Sequence, residues 1–222
     1  MKNIWSEEEL KEIESQLSCP SGTNGIDVGK SMNEFNISMT LDTIEYLELE
    51  HKEAILEIGH GNCGHLDQIL AQANQLKYTG LEISETMHQQ AMAINESAIL
   101  KGNIDFQLYD GHNLPFPDDT FDKIMTVNTI YFWEQPQKLI DELARVLKPQ
   151  GHCIITYGQK VFMQAIPFVG PKFKLYDNDA IQSLVAPSQL HCAQIIDRTE
   201  QIKLNSDELV ERKYSMAKLV KK

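Results

Sequence analysis

Short apolar runs alternate with amphipathic segments along most of the chain, and that alternation predicts a parallel sheet whose strands are joined by crossover helices. The first strand falls on residues 54–58, AILEI, and the helix after it presents Leu66, Ile69, Leu70 and Ala73 at the spacing of one buried face. Residues 78–83 read as the second strand, Ser84 as the N-cap of a helix reaching about residue 95, 104–109 as the third strand and 121–127 as the fourth. Pro136 suits a helix start. Leu139, Ile140, Leu143, Val146 and Leu147 give that helix a buried face, which Pro149 and Gly151 end before a fifth strand at 152–157. A helix near 179–185 and two last strands, around 192–197 and 213–220, complete the pattern, with Ser206, Asp207 and Glu208 as the turn between the strands.

Two segments stand outside this alternation. At the start, Ser6 and Glu9 form a capping box, Trp5 and Leu10 a hydrophobic staple, and Leu10, Ile13 and Leu17 share a helix face. The glycine-rich stretch 21–30 is expected to break that helix, and a second one carries Leu41, Ile44 and Leu47 in one stripe. Residues 1–50 therefore read as a helical cover and 51–222 as the sheet domain, the whole forming one unit. Past Gly158, VFMQAIPFVGPKFKLY mixes aromatics with two prolines and a glycine, as an insertion or lid over residues 158–178 would.

The 222 residues carry 20 Lys and Arg against 32 Asp and Glu, a net charge of −12, which argues against a nucleic-acid partner because such a surface repels the phosphate backbone. No apolar run approaches the roughly 20 residues needed to cross a bilayer, and the start, MKNIWSEEELKEI, has no signal-peptide stretch. A soluble, cytoplasmic protein is expected. Cys19, Cys63, Cys153 and Cys192 form no Cys-x-x-Cys pair, so free thiols and no metal site are expected.

In LEIGHGNCGHL, Gly59, Gly61 and Gly64 lie between the first strand and its helix, where glycine lets the backbone turn tightly and approach a ligand. On spacing alone this is the G-x-G-x-x-G of a dinucleotide site. Glu82 ends the second strand 18 residues beyond Gly64, placed to accept two hydrogen bonds from a ribose diol. Asp110, in YDGHNLPFPDD, ends the third strand at the same sheet edge. It reads either as a partner for an adenine amine or as a solvated loop carboxylate, and His112 as a site residue or an idle loop histidine.

With these residues in view, the sequence resembles the class I S-adenosylmethionine-dependent methyltransferases, particularly the small-molecule branch with the methyltransferase-11-type domain, over about residues 25–220. Glu57 matches the acidic residue that this family carries two before the first glycine, Glu82 its ribose ligand and Asp110 its adenine-proximal acidic position. Leu114, Pro115 and Phe116 with Asp118, Phe121 and Asp122 match its approach to the fourth strand, and residues 145–151, RVLKPQG, its turn before the fifth. Cys63 stands where the family has a third glycine and Gln150 where it has a later one. Cys63 reads as a small packed side chain or as a reactive thiol.

The resemblance implies a doubly wound, Rossmann-like α/β fold with seven strands, mostly parallel with a reversed last strand, and S-adenosylmethionine as cofactor. It assigns Glu57, Gly59, His60, Gly61, Cys63 and Gly64 to the methionine end, Glu82 to the ribose, and Ile83, Asp110 and Gly111 to the adenine. The acceptor is expected near Asn128, Tyr131 and Trp133 after the fourth strand, with Tyr131, Asn128 and His112 as catalytic candidates; His60 is a further base candidate, and the rings there equally suit packing. The reading is methyl transfer to a partly apolar small molecule by a monomer or homodimer. A nicotinamide-dependent oxidoreductase and a non-catalytic binder of the same cofactor remain as alternatives.

Overall fold

The computed structural model describes residues 5–203 and 209–222. In order they form α1 (Glu7–Ser18), α2 (Gly22–Tyr46), β1 (Ala54–Ile58), α3 (Leu66–Leu70), β2 (Lys77–Glu82), α4 (Glu85–Ile94), α5 (Glu96–Ile99), β3 (Ile104–Leu108), β4 (Phe121–Val127), α6 (Pro136–Val146), β5 (Leu147–Gly158), α7 (Lys160–Met163), α8 (Asn178–Val185), β6 (Leu190–Lys203) and β7 (Leu209–Lys221). The strands make one sheet in the order β3-β2-β1-β4-β5-β7-β6. The links among β1 to β5 are parallel, and β7 runs antiparallel to both β5 and β6, so the last strand is the reversed one, as expected. Among the described residues, no helix is long and apolar enough to cross a membrane.

Because successive side chains point to opposite faces, Leu56 and Ile58 of β1 enter a core under α6 and α8, while Ile55 enters a second core under α2, α3 and α4. The end of α2 belongs to that second core: Met39, Ile44 and Leu47 are buried, and the Thr43 hydroxyl meets that of Thr156 on β5 at 2.6 Å.

Several expectations need correction. The first helix does end, at Ser18, but the break is confined to residues 19–21; α2 starts at Gly22 and takes in the rest of the glycine-rich stretch. Gly29 is there for proximity, since a Cβ at that position would lie 2.4 Å from Met87 Sδ on α4. The capping box of α1 and the Ser84 cap of α4 form as expected. The helix after β1 is only five residues long, although Leu70 and Ala73 still pack on the core. Its continuation is tied instead to the loop before β1, with Asn74 bonded through its N–H to His51 Nδ1 and through its carbonyl to the Lys52 N–H, and Gln75 turns to φ +60°. β5 starts at Leu147, not at residue 152, and Pro149 and Gly151 sit in a bulge: two steps along β4 are matched by five along β5, with Gln150 at φ +66°. β6 and β7 are longer than expected, and the turn assigned to Ser206, Asp207 and Glu208 lies outside the described residues.

Candidate functional site

The order of the sheet reverses direction between β1 and β4, and at such a point the loops leaving the carboxyl ends diverge and open a crevice. A cavity of about 370 Å³ lies there, lined among others by Glu57, Gly59, Gly61, Glu82, Asp110 and Asn128. Gly59 has φ +71°, and a Cβ on it would lie 2.4 Å from Thr129 Cγ2. Gly61 has φ +57° with open space where its Cβ would be. The two glycines therefore do different jobs: one lets the β1 and β4 loops touch, the other leaves room in the cavity.

The Glu82 carboxylate is buried and accepts the N–H groups of Gly61 at 2.9 Å, Ile83 at 2.8 Å and Ser84 at 3.0 Å. Burial pushes its pKa up against these three amides, which favour the anion. Asp110 is exposed and folds its own loop, accepting the N–H groups of His112 and Asn113, each at 2.8 Å, which with the Asn113 side chain bring its pKa down to about 2. Ile83, Gly111 and His112 line the same cavity. His112 places Nε2 3.4 Å from Glu134 and leaves a buried Nδ1 without a partner.

His60 bonds through Nδ1 to the Gly61 carbonyl at 2.7 Å, so Nδ1 carries the proton, and its buried Nε2 has no protein partner. Burial pushes its pKa down to about 4. Behind the cavity wall, Glu57 accepts the Tyr78 hydroxyl at 2.6 Å and faces His65 Nε2 with both oxygens at 3.0 Å. Burial disfavours charge on both partners, yet their mutual attraction outweighs it, lowering the pKa of Glu57 and raising that of His65. These partners of Glu57 were not evident in the sequence; a buried carboxylate needing donors was the only signal.

Cys63 and Gly64 do not line the cavity, contrary to their assignment. Cys63 has φ +48°, and its buried sulfur lies 3.2 Å from the Tyr78 hydroxyl; burial pushes the thiol pKa well up, against a reactive thiolate. Gly64 makes room for the Asn33 amide instead. Glu57, Cys63 and His65 offer three buried donor atoms within 4.8 Å of one another, a grouping that the expectation of no metal site overlooked. With Tyr78 they already form a hydrogen-bonded cluster.

A second cavity of about 380 Å³ adjoins the first and is mostly apolar, with Leu17, Met32, Phe35, Phe162, Phe168 and Phe173 in its wall. Residues of the insertion at 158–178 line one side, and residues of α1 and α2 line another. Asn36 and Asn128 line both cavities. Tyr131 faces the second cavity with its hydroxyl donating to Asn128 Oδ1 at 2.8 Å and accepting the Gly158 N–H at 2.5 Å. Burial pushes that hydroxyl's pKa up, so it cannot serve as a base near neutral pH. Trp133 faces the first cavity and donates to the Thr129 hydroxyl at 3.1 Å.

Residues 56–155 match a family model described as a methyltransferase domain. A fatty-acid O-methyltransferase of Mycolicibacterium smegmatis is 27% identical over 134 residues, 60% of this chain and 47% of that protein. A phthiotriol/phenolphthiotriol dimycocerosates methyltransferase of Mycobacterium ulcerans is 26% identical over 131 residues, 59% of this chain and 46% of that one. The chain thus spans about half the length of these curated relatives. Among solved structures, a SAM-dependent methyltransferase from Aquifex aeolicus superposes with a TM-score of 0.62 at 16% identity, covering 97% of this chain and 99% of its own. Residues 56–155 are thus similar to a methyltransferase domain, and the sheet built around them has the fold of that solved methyltransferase, in line with the class that the motifs of this sequence resemble.

Proposed function

We propose that this protein transfers a methyl group from S-adenosylmethionine to a small, largely apolar molecule. The observation that carries this reading is the pair of adjoining cavities, one edged by glycine turns and carboxylates, the other by aromatic and aliphatic side chains, meeting at Asn36 and Asn128. The first fits the cofactor's chemistry: a buried carboxylate at the end of β2 for the ribose, an open Gly61 and an unpartnered His60 nitrogen beside it. In this reading Glu82 holds the ribose, Ile83, Asp110 and Gly111 flank the adenine, and Gly59, His60 and Gly61, backed by Glu57, shape the methionine end. The sulfonium makes its methyl carbon electrophilic, so the protein is left to align the acceptor and exclude water.

The relatives named above are methyltransferases, one of them of a fatty acid, which supports this reading over a nicotinamide-dependent oxidoreductase. The net charge of −12 supports a small-molecule acceptor over nucleic acid, and four unpaired cysteines support a reducing, cytoplasmic setting. A monomer or homodimer suffices, since both cavities are lined within one chain. Incubation with methyl-labelled S-adenosylmethionine and a metabolite extract tests the proposal: a product heavier by one labelled methyl is expected, and cofactor binding without any such product would favour a non-catalytic binder.

A further inference from the structure

The seam between the cavities has a hydrogen-bond polarity that can be read without ambiguity. Its origin is the Gly158 N–H, which can only donate. It donates to the Tyr131 hydroxyl at 2.5 Å and to Asn128 Oδ1 at 3.3 Å, so the Tyr131 proton must go to Asn128 Oδ1. That fixes the Asn128 amide, whose Nδ2 then donates to Asn36 Oδ1 at 3.0 Å. Asn36 is fixed in turn, with its NH₂ at the end of the chain; among the described residues that group has no partner, and it is not among the buried, unsatisfied atoms. Since Asn36 lines both cavities, the seam ends in N–H donors beside the place where a methyl group would cross.

A proton acceptor is what the second cavity lacks beside the seam. Among the described residues lining the second cavity there is no histidine, and Asp27 is the one carboxylate. Asp27 is exposed and precedes Asn36 by nine residues on α2, about 13 Å along the helix axis, too far to act at the seam. The Arg212 guanidinium is held by Glu200, the Phe35 carbonyl and the Ser38 hydroxyl. An alcohol or phenol lying in the second cavity, which must lose a proton as it attacks, finds no base in its wall; of the first cavity's histidines, His65 is paired with Glu57, His112 faces Glu134, and burial holds the His60 pKa down at about 4.

We infer that the acceptor is an apolar carboxylic acid, methylated on its carboxylate, and that Asn36 holds the carboxylate by donating hydrogen bonds to it. The inference rests on the methyl-transfer reading and deepens it. A carboxylate is already ionised at neutral pH, accepts the hydrogen bonds that Asn36 offers, and trails a hydrocarbon or aromatic body suited to the wall of Phe162, Phe168 and Phe173. In the step, a carboxylate lone pair forms a C–O bond to the donor's methyl carbon while the C–S bond breaks, its electron pair staying on sulfur. The products are a methyl ester and S-adenosylhomocysteine, and no proton moves.

The test uses octanoate, decanoate and phenylacetate against octanol and octanethiol, with two readouts: calorimetric binding to the protein loaded with S-adenosylhomocysteine, and methyl-ester formation followed by mass. Acids should bind and yield esters, and the alcohol and thiol should yield no product. Asn36→Asp keeps an oxygen for Asn128 Nδ2 but replaces the donors with an anion. It should weaken octanoate at least about thirtyfold and octanol less than about threefold, while S-adenosylhomocysteine, which has no sulfonium, still binds. Methylation of the alcohol or thiol, no ester from any acid, or equal loss of octanoate and octanol in Asn36→Asp would each overturn the inference while S-adenosylhomocysteine still binds. Failure of the wild-type protein to bind S-adenosylhomocysteine would overturn the methyl-transfer reading beneath it.

Discussion

The two cavities are alike in size and built by opposite rules. The first takes its carboxylates and glycine turns from strand ends, the turn after β1, Glu82 at the end of β2, Asp110 after β3 and Asn128 after β4, so parallel pairing brings these groups together, and α1 and α2 close over them through Leu17, Met32 and Asn36. The second draws most of its apolar wall from α1, α2 and the insertion at 158–178, joined by Tyr131 and Phe132 after β4 and Arg212 of β7, and for the helices and the insertion no strand register dictates which residues meet. A cofactor of fixed chemistry can be served by groups locked to the sheet, whereas an acceptor that differs among relatives is served by parts that vary without disturbing it.

Substitutions should separate the two cavities sharply. The largest effect is expected at Gly59: in Gly59→Val the left-handed backbone costs about 1–2 kcal/mol and the contact with Thr129 about 1–3 more, so S-adenosylhomocysteine affinity should fall roughly a hundredfold, with a lower melting temperature. Calorimetry and thermal denaturation read both.

Acid should next reveal the buried histidines. His60 and His152 have pKa values pushed down to about 4, in each case foremost by burial, and Lys123 Nζ at 3.3 Å from His152 Nδ1 further opposes the cation. The unfolded chain takes up their protons first as pH falls, so their contribution is full above about pH 6.5 and lost toward 4. Each should cost about 1 kcal/mol between pH 6.5 and 5.5, roughly 2 kcal/mol together. His65 has the opposite sign, because the neighbouring carboxylate raises its pKa; its contribution is already full below about pH 6.5 and declines as pH rises through its folded pKa. Urea titrations at the two pH values measure the loss, and equal stability at both would contradict it.

Glu82→Ala removes the acceptor of three backbone amides and, in the proposed reading, of the ribose, so a loss of about 1.5–3 kcal/mol, or roughly ten- to a hundredfold in S-adenosylhomocysteine affinity, is expected. The smallest effect sharpens the contrast most. Phe173→Ala, in the second cavity, should leave that affinity within about twofold; a larger change would mean that the two cavities are not separable.

The same contrast explains what was legible in the sequence. Gly59, Gly61, Glu82 and Asp110 could be placed together on the first cavity's wall because each sits at a strand end, where period and spacing determine position. Cys63 and Gly64 were misplaced because a left-handed residue reverses which way the next side chains face, and no periodicity records a φ of +48° at a cysteine. Residues 21–30 were misread because glycine marks both a break and a close helix contact, and only Met87, 58 residues beyond Gly29, distinguishes them. Asn36 had no distinguishing signal within the helical cover at 1–50; the role inferred for it depends on Asn128 and Gly158, which the fold brings together over more than a hundred residues.

The central claim, that the end of β1 and its neighbours hold an adenosyl nucleoside through Glu82, is tested most directly by calorimetric titration of wild-type and Glu82→Ala protein with S-adenosylhomocysteine and with NADH. Saturable binding of S-adenosylhomocysteine to the wild type, at least about tenfold weaker in the variant, with no heat from NADH, is the expected result. Binding of NADH in its place, or equal affinity in both proteins, would contradict it.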